Sequence, residues 1–235
     1  MKHLIIASTS TLYGGSYLDY LLEPLKQLFI KTDNILFIPY ARPGGISHED
    51  YTTKANEAFS RINISVKGID EFENPQLAIR EAKGIFVGGG NTFVLVNQLY
   101  KQGIMEILRE VVLNGTPYLG TSAGSNICGL TMQTTNDMPI VYPPSFKTLG
   151  LVPFNINPHY LDPDENSSHM GETRETRIKE FHTINTPPVI GLREGSWLQV
   201  VDESIMLKGI LSARVFEAEK TPYEVESNSD LSSLK

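Results

Sequence analysis

The chain has 235 residues, of which 40% are hydrophobic and 20% charged, a composition typical of a folded globular protein with a substantial core. Its single cysteine, Cys128, excludes an internal disulfide and a thiolate zinc site. The net charge of −7 argues against nucleic-acid binding, and no apolar run reaches the roughly 18 residues of a membrane span. We therefore expect a cytoplasmic protein that binds neither nucleic acid nor membrane.

The first half of the chain alternates short apolar runs with longer amphipathic stretches, as in βα units around a largely parallel sheet. The predicted strands are His3–Ser8, Asn34–Pro39, Ile62–Gly68, Gly84–Gly88 and Thr116–Gly120. The predicted helices are Ser16–Ile30, Ser47–Arg61, Pro75–Ala82 and Asn91–Leu113, the last divided near Gly103. Several strands lack polar alternation, which indicates that helices cover both faces of the sheet.

The second half differs because prolines interrupt it, so loops are expected to dominate residues Asn136–Met170. A helix is predicted over Glu172–Thr183. Short antiparallel strands are predicted at Val189–Leu192, Ser196–Asp202, Ile205–Leu207 and Arg214–Ala218, with Gly195 and Gly209 as turn residues. Residues 1–220 are expected to form one α/β domain. Residues 221–235, rich in Ser, Glu and Asn, are expected to be a disordered tail.

The segment Gly120-Thr-Ser-Ala-Gly124 matches the pattern G-x-S-x-G between a predicted strand and a predicted helix. In that setting the central serine stands on a sharp turn with its hydroxyl free, which indicates that Ser122 is a nucleophile. The amide of Ala123 at the helix start then becomes an oxyanion donor. The alternative is a plain tight turn in which the serine caps the helix.

A second glycine cluster, Gly88-Gly89-Gly90-Asn91-Thr92, also follows a predicted strand and opens a helix. It is not a dinucleotide fingerprint, because Phe93 occupies the place of the third glycine. Consecutive glycines expose backbone N–H groups, which favours a second oxyanion arm. The alternative is a helix cap at a close chain crossing.

A serine nucleophile needs a nearby base and an acidic group that orients it. His159 follows an apolar strand and a proline, so it is our choice for the base. Asp137, in a Pro-flanked loop, is a plausible orienting acid from the sequence alone. The other histidines lie at a strand start, a helix start, a polar loop and a helix end: His3, His48, His169 and His182.

No metal site is predicted. The stretch 159–169 contains Asp162, Asp164 and Glu165, but its spacing does not match an EF-hand loop, and H-E-x-x-H does not occur.

Five ordered motifs together resemble the peptidase E family, which comprises aspartyl dipeptidases of the serine type. These motifs are G-G-G-N-T from Gly88, G-T-S-A-G-S-N from Gly120, N-P-H from Asn157, G-E-T-R-E-T-R-I from Gly171 and G-L-R-E-G-S-W from Gly191. The family is related to cyanophycinases and to the class I glutamine amidotransferase-like fold. The resemblance therefore implies a flavodoxin-like three-layer α/β structure with a few antiparallel strands in the C-terminal part.

The resemblance also implies a catalytic triad in the order Ser, His and Glu, which falls on Ser122, His159 and Glu194. Glu194 is favoured over Asp137 as the acid because it matches the family's E-G-x-W motif. One departure from the family pattern is Arg193, a cation next to the proposed carboxylate. Its charge would either lower the pKa of that carboxylate or compete with His159 for it.

The family hydrolyses dipeptides with an N-terminal aspartate, so the resemblance implies a small peptide substrate and no cofactor. Arg174 corresponds to the residue that pairs with the substrate β-carboxylate, and a planar guanidinium suits that task. Gly90 and Asn91 are also assigned to substrate binding, and the amides of Gly89 and Ala123 to the oxyanion hole.

Two other functions remain open: a cyanophycinase-like exopeptidase that acts on β-aspartyl-arginine, and a non-catalytic small-molecule-binding module. The protein is expected to be a monomer or a homodimer.

Overall fold

The computed structural model of the protein describes residues 1–164 and 171–235. Its strands are β1 (His3–Ala7), β2 (Asn34–Ile38), β3 (Ser65–Gly68), β4 (Ile85–Val87), β5 (Tyr118–Thr121), β6 (Asn155–Pro158), β7 (Val189–Leu192), β8 (Ser196–Val201), β9 (Ser204–Gly209), β10 (Ala213–Phe216) and β11 (Tyr223–Val225). Its helices are α1 (Leu22–Leu28), α2 (His48–Ser60), α3 (Pro75–Glu81), α4 (Thr92–Lys101), α5 (Met105–Leu113), α6 (Ala123–Asn126) and α7 (Arg174–Phe181).

Within the described residues, the larger sheet has seven strands in the order β3-β2-β4-β5-β1-β8-β9. The first five strands are mutually parallel, whereas β8 and β9 run antiparallel to their neighbours. The predicted fold class, a largely parallel sheet flanked by helices with antiparallel strands near the C-terminus, is confirmed. The carboxyl ends of β1, β4 and β5 meet at one edge of this sheet.

The strands of the larger sheet are buried on both faces. In β1, Leu4 and Ile6 pack in the core beneath α3, α4 and α5, whereas Ile5 and Ala7 pack in the core beneath α1 and α2. Successive side chains of a strand point to opposite faces, so covering both faces demands an apolar residue at every position. This explains the lack of polar alternation in the sequence.

The smaller sheet has the order β11-β10-β7-β6 in the described residues, with β6 and β7 parallel and the other pairs antiparallel. It shares the main core through Ile190 and Leu192 of β7. On its other face, Ile178 of α7 packs with Tyr160 and Phe216. The chain passes from the smaller sheet to the larger one in the short turn between β7 and β8.

Side-chain caps fix the beginnings of α2, α3, α4 and α7. In the described residues, the N-cap side chains that accept a backbone N–H in these helices are Ser47, Asn74, Asn91 and Thr173. The predicted division of the long fourth helix is also confirmed, because Gly103 adopts φ +64° between α4 and α5.

Two predicted boundaries are wrong because local turns intervene. The predicted helix Ser16–Ile30 is shortened to α1 and a preceding 3-10 turn, since Leu18 adopts a left-handed φ of 57°. The predicted strand Ile62–Gly68 begins only at Ser65, because the amide of Ile62 still donates to the carbonyl of Phe59 at the end of α2.

Residues 221–235, which the sequence composition predicts to be disordered, are placed against both sheets in the structure. β11 pairs with β10, and the amide of Leu231 donates to the carbonyl of Ile205 in β9. Leu231 and Leu234 are buried in the main core. Although this segment is mostly polar, Leu231 and Leu234 attach it to the core, and the carboxylate of Glu224 binds Arg193 and Arg214.

No helix in the described parts of the chain has the length and apolarity required to cross a membrane.

We expect Leu231→Ala to lower the free energy of unfolding by about 2–3 kcal/mol, since it removes a buried side chain. Urea unfolding measures this change. Ile184→Ala serves as the control, because that side chain is 89% exposed and its removal should change stability by less than about 0.5 kcal/mol. Equal small effects of both substitutions would show that the tail does not pack in the core.

Candidate active site

Ser122 lies in a strained turn between β5 and α6. Its backbone has φ 55° and ψ −111°, a conformation that a non-glycine residue rarely adopts. The flanking glycines allow this turn because the chain approaches itself closely. A methyl group at Gly120 would overlap the carbonyl of Gly124, and one at Gly124 would overlap the carbonyl of Val87.

The helix-capping alternative for Ser122 is not supported. Ser122 stands at the N-cap position of α6, yet its side chain accepts no capping hydrogen bond. The turn is held instead by Ser125, whose Oγ lies 2.6 Å from the carbonyl oxygen of Ala7 and 2.8 Å from that of Gly120. The Ser122 hydroxyl is therefore available to another group.

That group is His159, which follows the end of β6. The Nε2 of His159 lies 3.0 Å from Ser122 Oγ. His159 also has a left-handed backbone, with φ 53°. The backbone N–H of His159 donates to the Oγ of Ser8 over 2.9 Å, and the Ser8 hydroxyl donates to the carbonyl of Leu192 over 2.7 Å.

Glu194 completes a row of hydrogen-bonded side chains, Glu194–His159–Ser122, called the row below. Its Oε1 lies 2.6 Å from the Nδ1 of His159. Glu194 occupies the turn between β7 and β8, which Gly195 closes with φ +91° while the amide of Ser196 donates to the carbonyl of Arg193. The side chains of His159 and Glu194 are 36% and 48% exposed, so the row opens to solvent at the acid end.

The structure does not support Asp137 as the orienting acid. One oxygen of its carboxylate accepts hydrogen bonds from the amide of Thr92 at 2.7 Å and from the hydroxyls of Thr92 and Thr135 at 2.6 and 3.0 Å. Asp137 thus stabilises the beginning of α4, where a negative charge also complements the helix dipole. The sequence could not distinguish this capping role from catalysis.

Arg193 does not compete for Glu194. Its guanidinium binds Asp162 through two nitrogens, at 2.8 and 2.6 Å, and Glu224 at 2.8 and 3.0 Å. Glu224 in turn binds Arg214, which also pairs with Glu175 of α7. This ion-pair network engages Arg193 outside the row and joins β11 to α7 and to the turn between β7 and β8.

The glycine-rich turn requires a correction. The N–H of Gly89, predicted as an oxyanion donor, donates to the hydroxyl of Tyr51 over 3.0 Å. The adjacent N–H of Gly90 has no acceptor in the described part of the chain, nor does that of Ala123. Both polar atoms of the Asn91 side chain are engaged, with the amide of Val94 and the carbonyl of Met138. The turn therefore offers Gly90, rather than Gly89 or the Asn91 side chain, to a ligand.

Arg174 is the first residue of α7, and its guanidinium has no acidic partner among the described residues. The two carboxylates nearest to it along the chain pair with other cations: Glu172 pairs with Arg177, and Glu175 pairs with Lys179 and Arg214. Burial lowers the pKa of Arg174, the charge of Arg177 lowers it further, and the charge of Asp137 opposes both. A partly desolvated, unpaired guanidinium is suited to a carboxylate ligand.

Cys128 is fully buried on the segment after α6, and burial raises the pKa of its thiol to about 12. A protonated, inaccessible thiol is a poor nucleophile, so Cys128 serves core packing. His182 contacts the carbonyl of Pro187 through Nε2, at 2.9 Å. His169 and Glu165 lie outside the described residues.

Sequence reasoning missed two polar residues that contact this site, Ser8 and Tyr51. Ser8 ends the predicted first strand, at the edge where strand ends converge, and that position is a usable signal. Tyr51 lies inside a helix and carries no comparable signal, because only the packing of α2 against the sheet brings it to the glycine turn.

Comparisons with known proteins identify the family of the chain. The family model described as peptidase family S51 matches residues 4–208. Peptidase E of Streptomyces coelicolor is 46% identical over 232 residues, which cover 99% of this chain and 94% of that protein. A Drosophila melanogaster protein named probable alpha-aspartyl dipeptidase is 44% identical over 238 residues, which cover 99% of this chain and 97% of that protein. The crystal structure of a peptidase from an acI-B1 actinobacterium matches with a TM-score of 0.73 at 15% identity, covering 98% of this chain and 96% of that chain. At this identity the match shows a similar fold and nothing more.

We expect the stabilising effect of Glu224 to depend on pH. Hydrogen bonds from Arg193 lower the pKa of this carboxylate to about 2, so its contribution is present above the unfolded value of about 4.3 and is lost as the pH falls towards 2. The side chain is 35% exposed, and with solvent screening Glu224→Gln should cost about 1 kcal/mol at pH 7.

Urea unfolding at pH 7 and pH 3 measures this difference, which should be smaller at pH 3. Glu226→Gln is the matched control, since Glu226 is exposed and forms no ion pair in the described structure. A loss of stability that is the same at both pH values would refute a charge-dependent role for Glu224.

Proposed function

The chain belongs to peptidase family S51, and on that basis we propose that it is a serine dipeptidase that hydrolyses dipeptides with an N-terminal aspartate. The observation that carries the proposal is the row of hydrogen bonds from Glu194 through His159 to Ser122. The relatives named peptidase E and probable alpha-aspartyl dipeptidase support the same reaction and substrate class.

The hydrogen bonds of the row determine which ring nitrogen of a neutral His159 carries the proton. Nδ1 faces an ionised carboxylate, which only accepts hydrogen bonds, so Nδ1 carries the proton. Nε2 is then unprotonated and accepts the hydroxyl hydrogen of Ser122. This tautomer is the one that a general base needs.

In the first half of the reaction, Ser122 Oγ bonds to the carbonyl carbon that follows the N-terminal aspartate, while its proton passes to His159 Nε2. Glu194 stabilises the resulting imidazolium. The carbonyl oxygen becomes an oxyanion, which the amides of Gly90 and Ala123 bind. As the carbon–nitrogen bond breaks, His159 returns the proton to the leaving amine, and an aspartyl ester remains on Ser122.

In the second half, water attacks the ester carbon and gives one proton to His159. The ester bond breaks, Ser122 recovers its proton from His159, and free aspartate leaves. The side chains of this chain supply every proton transfer in the cycle.

Arg174 is the proposed selector of aspartate. A carboxylate at the substrate β position would give Arg174 the acidic partner that it lacks in the described protein. A substrate without that carboxylate would leave the partly desolvated guanidinium unpaired, so the site should discriminate against it.

We expect Ser122→Ala and His159→Gln each to reduce kcat for Asp-Leu hydrolysis by about a thousand-fold or more, because each removes a group that takes part in bond making or proton transfer. Chromatographic detection of released leucine measures the rate. His3→Gln is the control, because the His3 side chain makes no hydrogen bond in the described structure. Full activity of Ser122→Ala would disprove the proposed mechanism.

We expect Arg174→Ala to reduce the preference for Asp-Leu over Asn-Leu by about 10- to 100-fold, the range for losing a charge-assisted hydrogen bond. Competition between the two dipeptides gives the ratio of their kcat/KM values. Arg177→Ala, on the same helix but paired with Glu172, should leave that ratio unchanged. An unaltered preference in Arg174→Ala, or faster cleavage of β-Asp-Arg than of Asp-Leu by the wild type, would contradict the substrate assignment.

A further inference from the structure

The hydroxyl of Tyr51 contacts both backbone polar groups of Gly89. It accepts the Gly89 N–H over 3.0 Å and lies 3.3 Å from the Gly89 carbonyl oxygen, to which it donates. Tyr51 is only 1% exposed, so no solvent competes with these contacts. None of the proposed chemical steps uses this residue.

These two contacts of Tyr51 with Gly89 set the direction in which the N–H of the next residue, Gly90, points. When the N–H and C=O of one residue face the same side, the chain there is extended, and the following N–H faces the opposite side. The described chain has no cis peptide, so the Gly89 carbonyl and the Gly90 N–H point in opposite directions. Gly90 N–H is therefore directed away from Tyr51.

Gly89 also borders the nucleophile. A methyl group at Gly89 would lie 2.8 Å from the Cβ of Ser122 and 3.4 Å from its Oγ. The Gly89–Gly90 peptide, whose carbonyl oxygen accepts the Tyr51 hydroxyl, thus begins directly beside Ser122.

The ring of Tyr51 is itself firmly held. Phe37 packs against it edge to face, with the ring centroids 4.9 Å apart, and the guanidinium of Arg42 lies 5.0 Å from its centroid. Tyr17 Oη lies 3.5 Å from its hydroxyl. A methyl group at Gly88 would approach that hydroxyl to 2.7 Å, so the glycine turn lies directly against the tyrosine.

We propose that Tyr51 is a positioning residue for the oxyanion hole: it holds the Gly89–Gly90 peptide in the one orientation that presents the Gly90 N–H to the developing oxyanion. The proposal rests on the proposed serine-peptidase function. A turn of three consecutive glycines has unusual backbone freedom, and a rotated Gly89–Gly90 peptide would present its carbonyl oxygen to the anion. Donors that are already oriented stabilise a transition state without the cost of reorganisation.

The direct test compares Tyr51→Phe with wild type in the full-length protein. We expect kcat for Asp-Leu to fall by about 10- to 100-fold with KM nearly unchanged, because the oxyanion forms only after the substrate has bound. Tyr100→Phe is the matched control, since it removes a tyrosine hydroxyl that donates to the carbonyl of Lys147 and contacts neither Tyr51 nor the glycines. It should retain at least about half of the wild-type kcat.

Two inhibitors separate positioning from a general structural defect. An aspartate analogue with a boronic acid in place of the α-carboxyl forms a tetrahedral adduct with Ser122, whose boron-bound oxygen occupies the oxyanion hole. Free aspartate binds without such an adduct. Tyr51→Phe should weaken the boronate by the same factor as kcat while leaving aspartate inhibition unchanged. Unchanged kcat and boronate affinity, or equal weakening of both inhibitors, would overturn the proposal.

A second measurement uses the wild-type protein and does not depend on the folding of a variant. In amide NMR spectra, the Gly89 N–H should exchange slowly before and after boronate addition, whereas the Gly90 N–H should become protected only after addition. A Gly89 amide that exchanges freely, or a Gly90 amide that the boronate leaves unprotected, would overturn the role of Tyr51. Failure of the wild type to cleave Asp-Leu and to bind the boronate would refute the serine-peptidase function itself.

Discussion

The hydroxyl of Ser8 connects the two sheets at the point where the reactive side chains meet. It stands at the end of β1 in the larger sheet, accepts the N–H of His159 after β6, and donates to the carbonyl of Leu192 at the end of β7. Because Ser8 is fully buried, its loss would leave both partners unsatisfied in the interior. The distances from His159 to Ser122 on one side and Glu194 on the other depend on this junction.

The charges around α7 and the smaller sheet leave Arg174 available to a ligand. Arg193, Arg214 and Arg177 are each paired with a carboxylate, whereas Arg174 has no such partner among the described residues. A protein of net charge −7 would repel an acidic dipeptide at long range. In the proposed function, the unpaired guanidinium of Arg174 would reverse that effect at close range, since short-range pairing in a partly desolvated setting outweighs a screened global field.

Local patterns in the sequence indicate Ser122 and His159, whereas the preference for Glu194 over Asp137 depends on the family's E-G-x-W motif. Ser122 lies between glycines that a tight turn requires, and Glu194 precedes the turn residue Gly195. The differences between sequence and structure concern long-range partners. The sequence favours Gly89 as an oxyanion donor because nothing in its own segment reveals Tyr51, which lies 38 residues away. The composition of the tail predicts disorder because its anchoring contacts, from Leu231 to Ile205 and from Glu224 to Arg193, are likewise distant along the chain.

The most direct test of the account is the rate at which a small fluorophosphonate modifies Ser122, which reports the reactivity of the row without substrate recognition. Mass spectrometry should find one adduct, on Ser122, with loss of fluoride. Ser8→Ala should slow the reaction by about tenfold or more, because the imidazole is no longer held against the hydroxyl. Arg174→Ala should react at the wild-type rate, since the reagent carries no carboxylate. An equal rate in Ser8→Ala and wild type, or an adduct on another residue, would contradict the account.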